Sequence, residues 1–308
     1  MRSWLDRPRA VFALSMLSLT VFAATFPARS ESAERQEDFT WNQEIPSGST
    51  LRVFTVAGTV TVRQAEGRTA RVRGETRNEG DDRIRYVTER VDGGGVRICA
   101  LREGATCNEN GINSTGRGWG RDRRARANFT IEVPSGVVVR VSSGNGDVSV
   151  DGATADVHAA SGNGDVSVGS GAAIVRASTG NGAVRVVSAR GPVNASSGNG
   201  RVTVSTAMGP VEASTGNGSI DVSMASLRGR DDLEFSSGNG SITLTLPRDF
   251  SADLDASTGN GGVDSEFPMR VQGRMSQHRV RATIGEGGRK LHVSTGNGAI
   301  RLRRAGDS

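Results

Sequence analysis

The sequence predicts an all-β fold, a single-domain parallel β-solenoid whose coils, or rungs, are roughly 18 residues long. Three observations support this prediction. The motif S/T-G-N-G occurs eight times in the 308 residues, and its first five copies are spaced by 18 residues. Between the copies, apolar and polar residues alternate, as is typical of half-buried strands. The 42 glycines cluster in these short turns and follow no collagen-like period.

Each repeat contains two short strand segments with inward-facing columns. The first segment contributes valines at positions 148, 166, 184 and 202, and at 150, 168, 186 and 204. The second contributes valines at 157, 175, 193 and 211, and alanines at 159, 177, 195 and 213. The hydroxyl residue of the motif shares the parity of the second segment, so it is expected to face inward next to the turn.

The motif itself has the chemistry of a turn. Asparagine tolerates the left-handed backbone region, and glycines on both sides remove the Cβ penalty where the chain reverses. The hydroxyl is expected to bond the turn backbone or the hydroxyl one layer away. The predicted turn residues are Asn145, Asn163, Asn181, Asn199, Asn217, Asn239, Asn260 and Asn297.

An antiparallel meander is the main competing topology, because Asn-Gly is a strong hairpin signal. A meander, however, does not require identical turns, whereas a solenoid stacks each residue on its counterpart one period later. The identity within each column therefore favours the solenoid, and the small Val, Ala and Ser/Thr columns predict a narrow interior with little room for a ligand.

The first thirty residues have the features of a secretory signal peptide. Arg2, Arg7 and Arg9 precede an apolar stretch at 10–26, and small residues offer a cleavage site near Ser30. An uncleaved membrane anchor is the alternative, although the apolar run is at the short edge of a spanning helix. We therefore expect an exported protein, periplasmic, surface-bound or secreted, with no transmembrane segment after signal removal.

The charge of the chain argues against a nucleic-acid partner. Residues 1–30 carry four arginines and one aspartate, so their removal lowers the net charge from +5 to +2. A strong global field that attracts polyanions is not expected from so small a net charge.

The predicted organisation after the signal peptide is a linker at 31–38, diverged rungs and a cap at 39–138, regular rungs at 139–304 and a tail at 305–308. Solenoids need atypical terminal rungs to seal their core. Within the cap, residues 107–127 are rich in glycine and arginine and include Trp119. This segment is interpreted either as a solvated loop or as a site for an anionic polymer.

Cys99 and Cys107 are the only cysteines. In an exported protein, two cysteines so close in sequence favour a local disulfide, with two free thiols as the alternative. His158, His278 and His292 are scattered without ligand spacing, which argues against a zinc site.

The chain resembles the bacterial toast-rack or putative adhesin family of β-strand-repeat domains over about residues 39–304. The resemblance rests on a leading strand with Gly48, Leu51 and Val53, on serial G-x-V-x-V units, and on a closing pattern from Gly285 to Leu302. It implies an exported, all-β, right-handed solenoid with no assigned catalysis and a loosely assigned role at the cell envelope.

Other chemistry finds little support in the sequence. A calcium β-roll needs an aspartate in every turn, but after the last glycine of the motif only Asp147 and Asp165 are acidic. A carbohydrate-acting β-helix enzyme needs a cleft with paired carboxylates. The best candidates for such a pair are Asp221, Asp231, Asp232 and Glu234.

The leading functional hypothesis is a non-enzymatic envelope scaffold, an adhesin or assembly protein without a cofactor or metal. Its expected partner is an envelope protein or a surface polysaccharide. The alternatives are a carbohydrate-acting lyase or hydrolase, and an envelope-stress accessory protein that acts through a membrane partner.

Overall fold

A computed structural model describes residues 38–78, 82–114, 125–206, 208–227, 229–272 and 276–306. These residues belong to one compact unit, 34–308. The predicted signal peptide at 1–30 and residues 115–124 of the arginine-rich segment, with Trp119, lie outside the described residues. Among the described residues, no helix is long and apolar enough to cross a membrane.

The described residues of the N-terminal part form nine strands and a 3₁₀ turn at Asp92–Gly94. They are β1 (Phe39–Glu44), β2 (Thr50–Thr55), β3 (Val60–Gln64), β4 (Thr69–Arg77), β5 (Arg85–Val91), β6 (Gly95–Leu101), β7 (Ala105–Asn108), β8 (Gly111–Ser114) and β9 (Arg126–Val133).

Twelve strands are described in the regular middle, two in each rung. They are β10 (Val138–Asn145), β11 (Val148–Val150), β12 (Val157–Asn163), β13 (Val166–Val168), β14 (Val175–Asn181), β15 (Val184–Ala189), β16 (Val193–Asn199), β17 (Val202–Thr206), β18 (Val211–Asn217), β19 (Ile220–Met224), β20 (Leu233–Asn239) and β21 (Ile242–Leu246).

In the C-terminal part, the residues that the structure describes form six strands. They are β22 (Ala252–Asn260), β23 (Val263–Ser265), β24 (Met269–Val271), β25 (Arg279–Ile284), β26 (Lys290–Asn297) and β27 (Ile300–Arg304).

The middle rungs stack in parallel, so the predicted β-solenoid is confirmed and the meander is wrong. The first strands of the rungs, β10 to β20, lie side by side in one sheet, and the second strands, β11 to β21, lie in another. We call these the first sheet and the second sheet. Residues 18 apart pair with each other, as Val157 does with Val175 and Asn163 with Asn181.

The core lies between the two sheets and consists of the predicted columns. Val166, Val168, Val175 and Ala177 are each exposed by 2% or less. The motif hydroxyls are buried on the same side, as predicted from their parity. Toward the C-terminus the small residues give way to larger ones such as Phe235, so the interior stays filled as the coil changes.

The rungs do not stack in sequence order at either end, which the repeat spacing alone does not predict. In the first sheet β2 lies between β6 and β10, and in the second sheet β3 lies between β9 and β11. The last rung in sequence, β26–β27, likewise lies between β20–β21 and β22–β23. At each end, strands that separate the terminal rung from the regular middle in sequence therefore lie on the outer side of that rung in the stack.

Antiparallel strands then close the two ends. At the N-terminal end β5 pairs with β6, and β4 and β1 extend the second sheet beyond β9. At the C-terminal end β25 pairs with both β22 and β24. Aromatic contacts accompany these caps, including stacked rings of Phe39 and Tyr86 whose centroids are 4.5 Å apart.

The turn geometry corrects one expectation about the motif. The asparagines are the last residues of their strands and none of those described has a positive φ, because the final glycine of the motif makes the reversal. Gly182, for example, has a φ of +148°. The first glycine is needed for another reason, since a Cβ at Gly180 would lie 2.6 Å from the carbonyl oxygen of Gly162.

The motif hydroxyl and asparagine each join neighbouring rungs. Each motif hydroxyl donates to the carbonyl of a turn glycine in an adjacent rung, as Thr179 Oγ1 does to Gly164 at 2.7 Å. The asparagine amides form a continuous ladder in which each Nδ2 donates to the next Oδ1 at 2.6–2.8 Å. The motif therefore joins adjacent rungs, because its side chains form hydrogen bonds with the rung above or below.

We expect Asn199→Ala to lower the free energy of unfolding by about 0.5–1.5 kcal/mol, because it removes two neutral hydrogen bonds. Asn199 donates to Asn181 at 2.8 Å and accepts from Asn217 at 2.7 Å. Urea titration would measure the loss against Ser196→Ala, an outward-facing change on the same strand. Equal midpoints for the two variants would contradict a stabilising role for the ladder.

Candidate functional site

The outer face of the first sheet carries a column of charged side chains that runs along the stack. Because the strands are in register, outward residues of successive rungs lie next to each other. The N-terminal half of the column is basic and comprises Arg97, Arg52, Arg140, His158 and Arg176. The other half is mainly acidic and comprises Asn194, Glu212, Glu234, His292 and Asp255.

A groove of about 390 Å³ lies beside the basic half of this column. Arg140, His158 and Arg176 form one side, and its floor consists of small outward residues, with Ser142 and Ser178 among them. We call this feature the basic groove. It spans the four adjacent strands from β10 to β16, which corresponds to a length of about 14 Å at the usual strand spacing.

The hairpin of β7 and β8 stands at one end of the basic groove, where its tip residues Glu109 and Asn110 line the wall. A small apolar cluster attaches the hairpin to the outer face, with Phe54 and Leu101 at its centre. The Sγ atoms of Cys99 on β6 and Cys107 on β7 are joined in a disulfide. The cross-link therefore fixes the hairpin over the sheet and shapes the groove.

Reduction of this disulfide is expected to lower the free energy of unfolding by about 2–3 kcal/mol in the chain-entropy account for so short a loop. Urea titrations with and without reductant would measure the loss. A Cys99→Ala, Cys107→Ala double variant serves as the control, because its midpoint should not respond to reductant. An unchanged midpoint in the reduced natural protein would contradict the prediction.

His158 is half-buried between two arginines, and its burial together with these neighbouring charges determines its protonation state. Arg176 Nη1 is 3.3 Å from His158 Nε2, a contact that suits a neutral imidazole accepting from the guanidinium. Burial lowers the pKa of His158 below its usual 6.5, and the charges of Arg140 and Arg176 lower it further, against a smaller opposing effect of Asp156. The ring is therefore neutral in the folded protein at neutral pH.

Acidification is expected to destabilise the fold through His158. Because its pKa is lowered in the folded state, the unfolded chain binds the proton first as the pH falls below about 6.5. The stabilisation is complete above that pH and declines toward the lower folded pKa. In His158→Asn, the difference in unfolding free energy between pH 7.5 and pH 5.5 should shrink. The exposed His278→Asn is the control, and an equal reduction there would contradict the assignment.

The acidic residues predicted as candidates for catalysis do not all meet. Asp231 and Asp232 line a second, smaller groove of about 340 Å³ beside Glu212. Asp232 Oδ1 accepts a hydrogen bond from the Lys290 amide at 2.8 Å, so it holds the neighbouring rung in place.

The other two candidates lie elsewhere. Glu234 is outward on the first sheet, one rung beyond Glu212. Asp221 lies on the second sheet, where its carboxylate is 3.8 Å from Arg201. Asp221 is therefore separated from the other three by the thickness of the solenoid, and the four residues form no single acid–base site.

The aspartates that follow the motif cap the neighbouring turn. Asp147 Oδ1 accepts from the amide of Asp165 at 2.8 Å, and Asp165 Oδ1 accepts from the amide of Ala183 at 2.7 Å. In the described part of the chain, no three His, Cys, Asp or Glu side chains are grouped so that they could hold a metal ion.

The basic groove was not predicted from the sequence, although its signal was present. Arg140, His158 and Arg176 are 18 residues apart, the same period as the motif. The prediction of the core uses the inward columns alone. The three residues occupy the same outward-facing position of successive first-sheet strands. The period of 18 residues therefore identifies them as neighbours in the stack.

One known protein family matches the chain over most of its length. The family model described as Toastrack DUF4097 matches residues 49–303. A solved structure of a putative cell adhesion protein from Clostridium sporogenes is 12% identical, with 88% of this chain and 100% of that chain covered and a TM-score of 0.31. A putative adhesin from Bacteroides fragilis is 10% identical, with coverages of 87% and 97% and a TM-score of 0.39. No curated protein matches the chain.

Proposed function

This chain belongs to the Toastrack DUF4097 family, and from this membership and its outer-face geometry we propose that it is an exported, non-enzymatic scaffold of the cell envelope. It acts as an adhesin or in assembly, by binding a surface polysaccharide or an envelope protein. Export is supported by the signal-like features of residues 1–30.

The observation that carries the proposal is the regular outer face of the first sheet, which the hairpin of β7 and β8 covers at one end. Its strands keep one register from β6 through β26, so outward side chains form straight columns along the whole stack. The hydroxyl bonds and the asparagine ladder hold this face rigid from rung to rung. A rigid, periodic face is suited to binding an extended partner, because little side-chain and backbone entropy is lost on contact.

Two measurements test the proposal. Cell fractionation with N-terminal sequencing of the isolated protein should place it outside the cytoplasm, with a new N-terminus near Ser30. Purified protein should then sediment saturably with envelope fractions of its own cells. Cytoplasmic protein with an intact N-terminus, or binding that does not saturate, would contradict the proposal.

A simple assay distinguishes the non-enzymatic scaffold from the alternative, a carbohydrate-acting enzyme. The protein is incubated with surface polysaccharides, and reducing or unsaturated ends are counted. We expect no release above that of a heat-denatured sample. Release that disappears in Asp231→Asn or Asp232→Asn, but persists in Asp221→Asn, would replace the scaffold by an enzyme.

A further inference from the structure

We propose that the basic groove binds an extended acidic polysaccharide, with Arg140 and Arg176 contacting carboxylates on successive parts of the polymer. The inference rests on the proposed function and names the ligand class of the same face. It follows from the charge of the groove, from its floor and from its shape.

The arginines of the groove are available to an anion. Neither Arg140 nor Arg176 forms an ion pair with a carboxylate of the described residues, whereas Arg97, farther along the column, is paired with Glu89. Guanidinium groups bind carboxylates with two parallel hydrogen bonds, so a row of them favours a polymer with repeated carboxylates.

The floor of the groove suits sugars better than a peptide. Ser142 and Ser178 present hydroxyls, and Asn110 presents an amide at one end of the groove. At the other end Asn194 lines the groove while its Nδ2 donates to Glu212 Oε2 at 2.7 Å. These groups donate and accept, which matches the hydroxyls of a saccharide. A peptide lying across the strands would meet side chains rather than a free sheet edge, so its own amides and carbonyls would lack the partners that strand addition provides.

The shape of the groove argues against two other ligand classes. It is open and about 14 Å long at the usual strand spacing, which exceeds what a single small anion needs. Single-stranded nucleic acids are bound with the help of aromatic platforms. The aromatic residue of the groove, Phe54, is only 4% exposed and is covered by the hairpin, so it offers no such platform.

Calorimetric titration of the purified exported protein with polygalacturonate tests the proposal. Polygalacturonate should bind, whereas neutral dextran should not. The double variant Arg140→Gln, Arg176→Gln should weaken binding at least about tenfold, since two charge-assisted contacts are lost. Arg185→Gln is the matched control, because Arg185 is an exposed arginine on the second sheet of the same stack. The affinity of this variant for polygalacturonate should change less than about twofold.

Two further variants separate lost contacts from lost structure. Arg140→Lys, Arg176→Lys keeps the charge and should recover part of the affinity. Ser178→Trp keeps both arginines but fills the floor, and it should abolish binding with an unchanged thermal midpoint. Absence of polygalacturonate binding, an equal loss in Arg185→Gln, or tighter binding of poly-L-glutamate would overturn the proposal.

These outcomes are distinguishable from failure of the proposed function. If the protein sediments saturably with envelopes but does not bind polygalacturonate, the scaffold stands and only the acidic polysaccharide is rejected. If neither occurs, both are rejected.

Discussion

A chain truncated after Arg289 is expected to lose cooperative folding of its C-terminal half. The missing segment contains β26 and β27, which lie between β20–β21 and β22–β23 rather than at the end of the stack. Without them, four strands lose a parallel neighbour at once. We expect this truncation to destabilise the protein more than any single substitution in the stack.

The energetic reason is the burial of the inserted rung. Leu291, Val293, Ile300 and Leu302 are each exposed by 1% or less. Replacing one such buried leucine or isoleucine by alanine typically costs about 2–5 kcal/mol. Loss of four such side chains, with the strand pairing on both sides, exceeds the net stability of about 5–15 kcal/mol that a domain normally has.

Circular dichroism during urea titration, with limited proteolysis of the same samples, would measure the outcome. The truncated protein should show a lost or strongly shifted transition and cleavage beyond β19. Truncation after Gly306, which removes only the last two residues, is the control and should keep the natural midpoint. A natural midpoint in the longer truncation would mean that β22 pairs directly with β20 when the inserted rung is absent.

The regular rungs could be predicted from the sequence because each structural requirement recurs with the same period. Val166 and Val184 are buried for the same reason, and the repetition makes the inward parity visible without coordinates. The motif hydroxyls followed from the same parity. Local pattern and fold agree here, which is the condition under which sequence reasoning works.

The interlocked ends could not be predicted, because pairing between rungs is not encoded in spacing. The strand of Thr295 carries the same motif as that of Thr258, so either could follow β20 equally well by pattern. What separates them is the antiparallel closure by β25, which occupies the outer edge of β22 and leaves the inner edge for β26. This choice depends on long-range contacts.

The candidate site was predicted only in part. The close spacing of Cys99 and Cys107 predicts their disulfide, and the structure adds that the bond orders a hairpin over the groove. The role of the asparagine was misjudged because Asn in a turn has two uses, a left-handed backbone or a side-chain ladder. A ladder requires the rung above and the rung below, which a single copy of the motif does not reveal.

The second large effect is expected for Gly182→Ala in the middle of the stack. At a φ of +148°, a residue with a Cβ is strained, and the added methyl would lie 2.6 Å from the carbonyl carbon of Gly164. That carbonyl belongs to a backbone stacked between rungs, so it cannot shift without disturbing the neighbouring turns. We expect a loss of about 2–5 kcal/mol, combining backbone strain with overpacking.

Gly262→Ala is the matched control for this change. Gly262 directly follows a motif copy, but a Cβ there would meet nothing within 4 Å, so the loss should stay within about 0.5 kcal/mol. Unfolding free energies from urea titration of the two variants decide the matter. Equal unfolding free energies for the two variants would show that close stacking of the rungs does not require the final glycine of the motif. The recurrence of this glycine would then need another explanation.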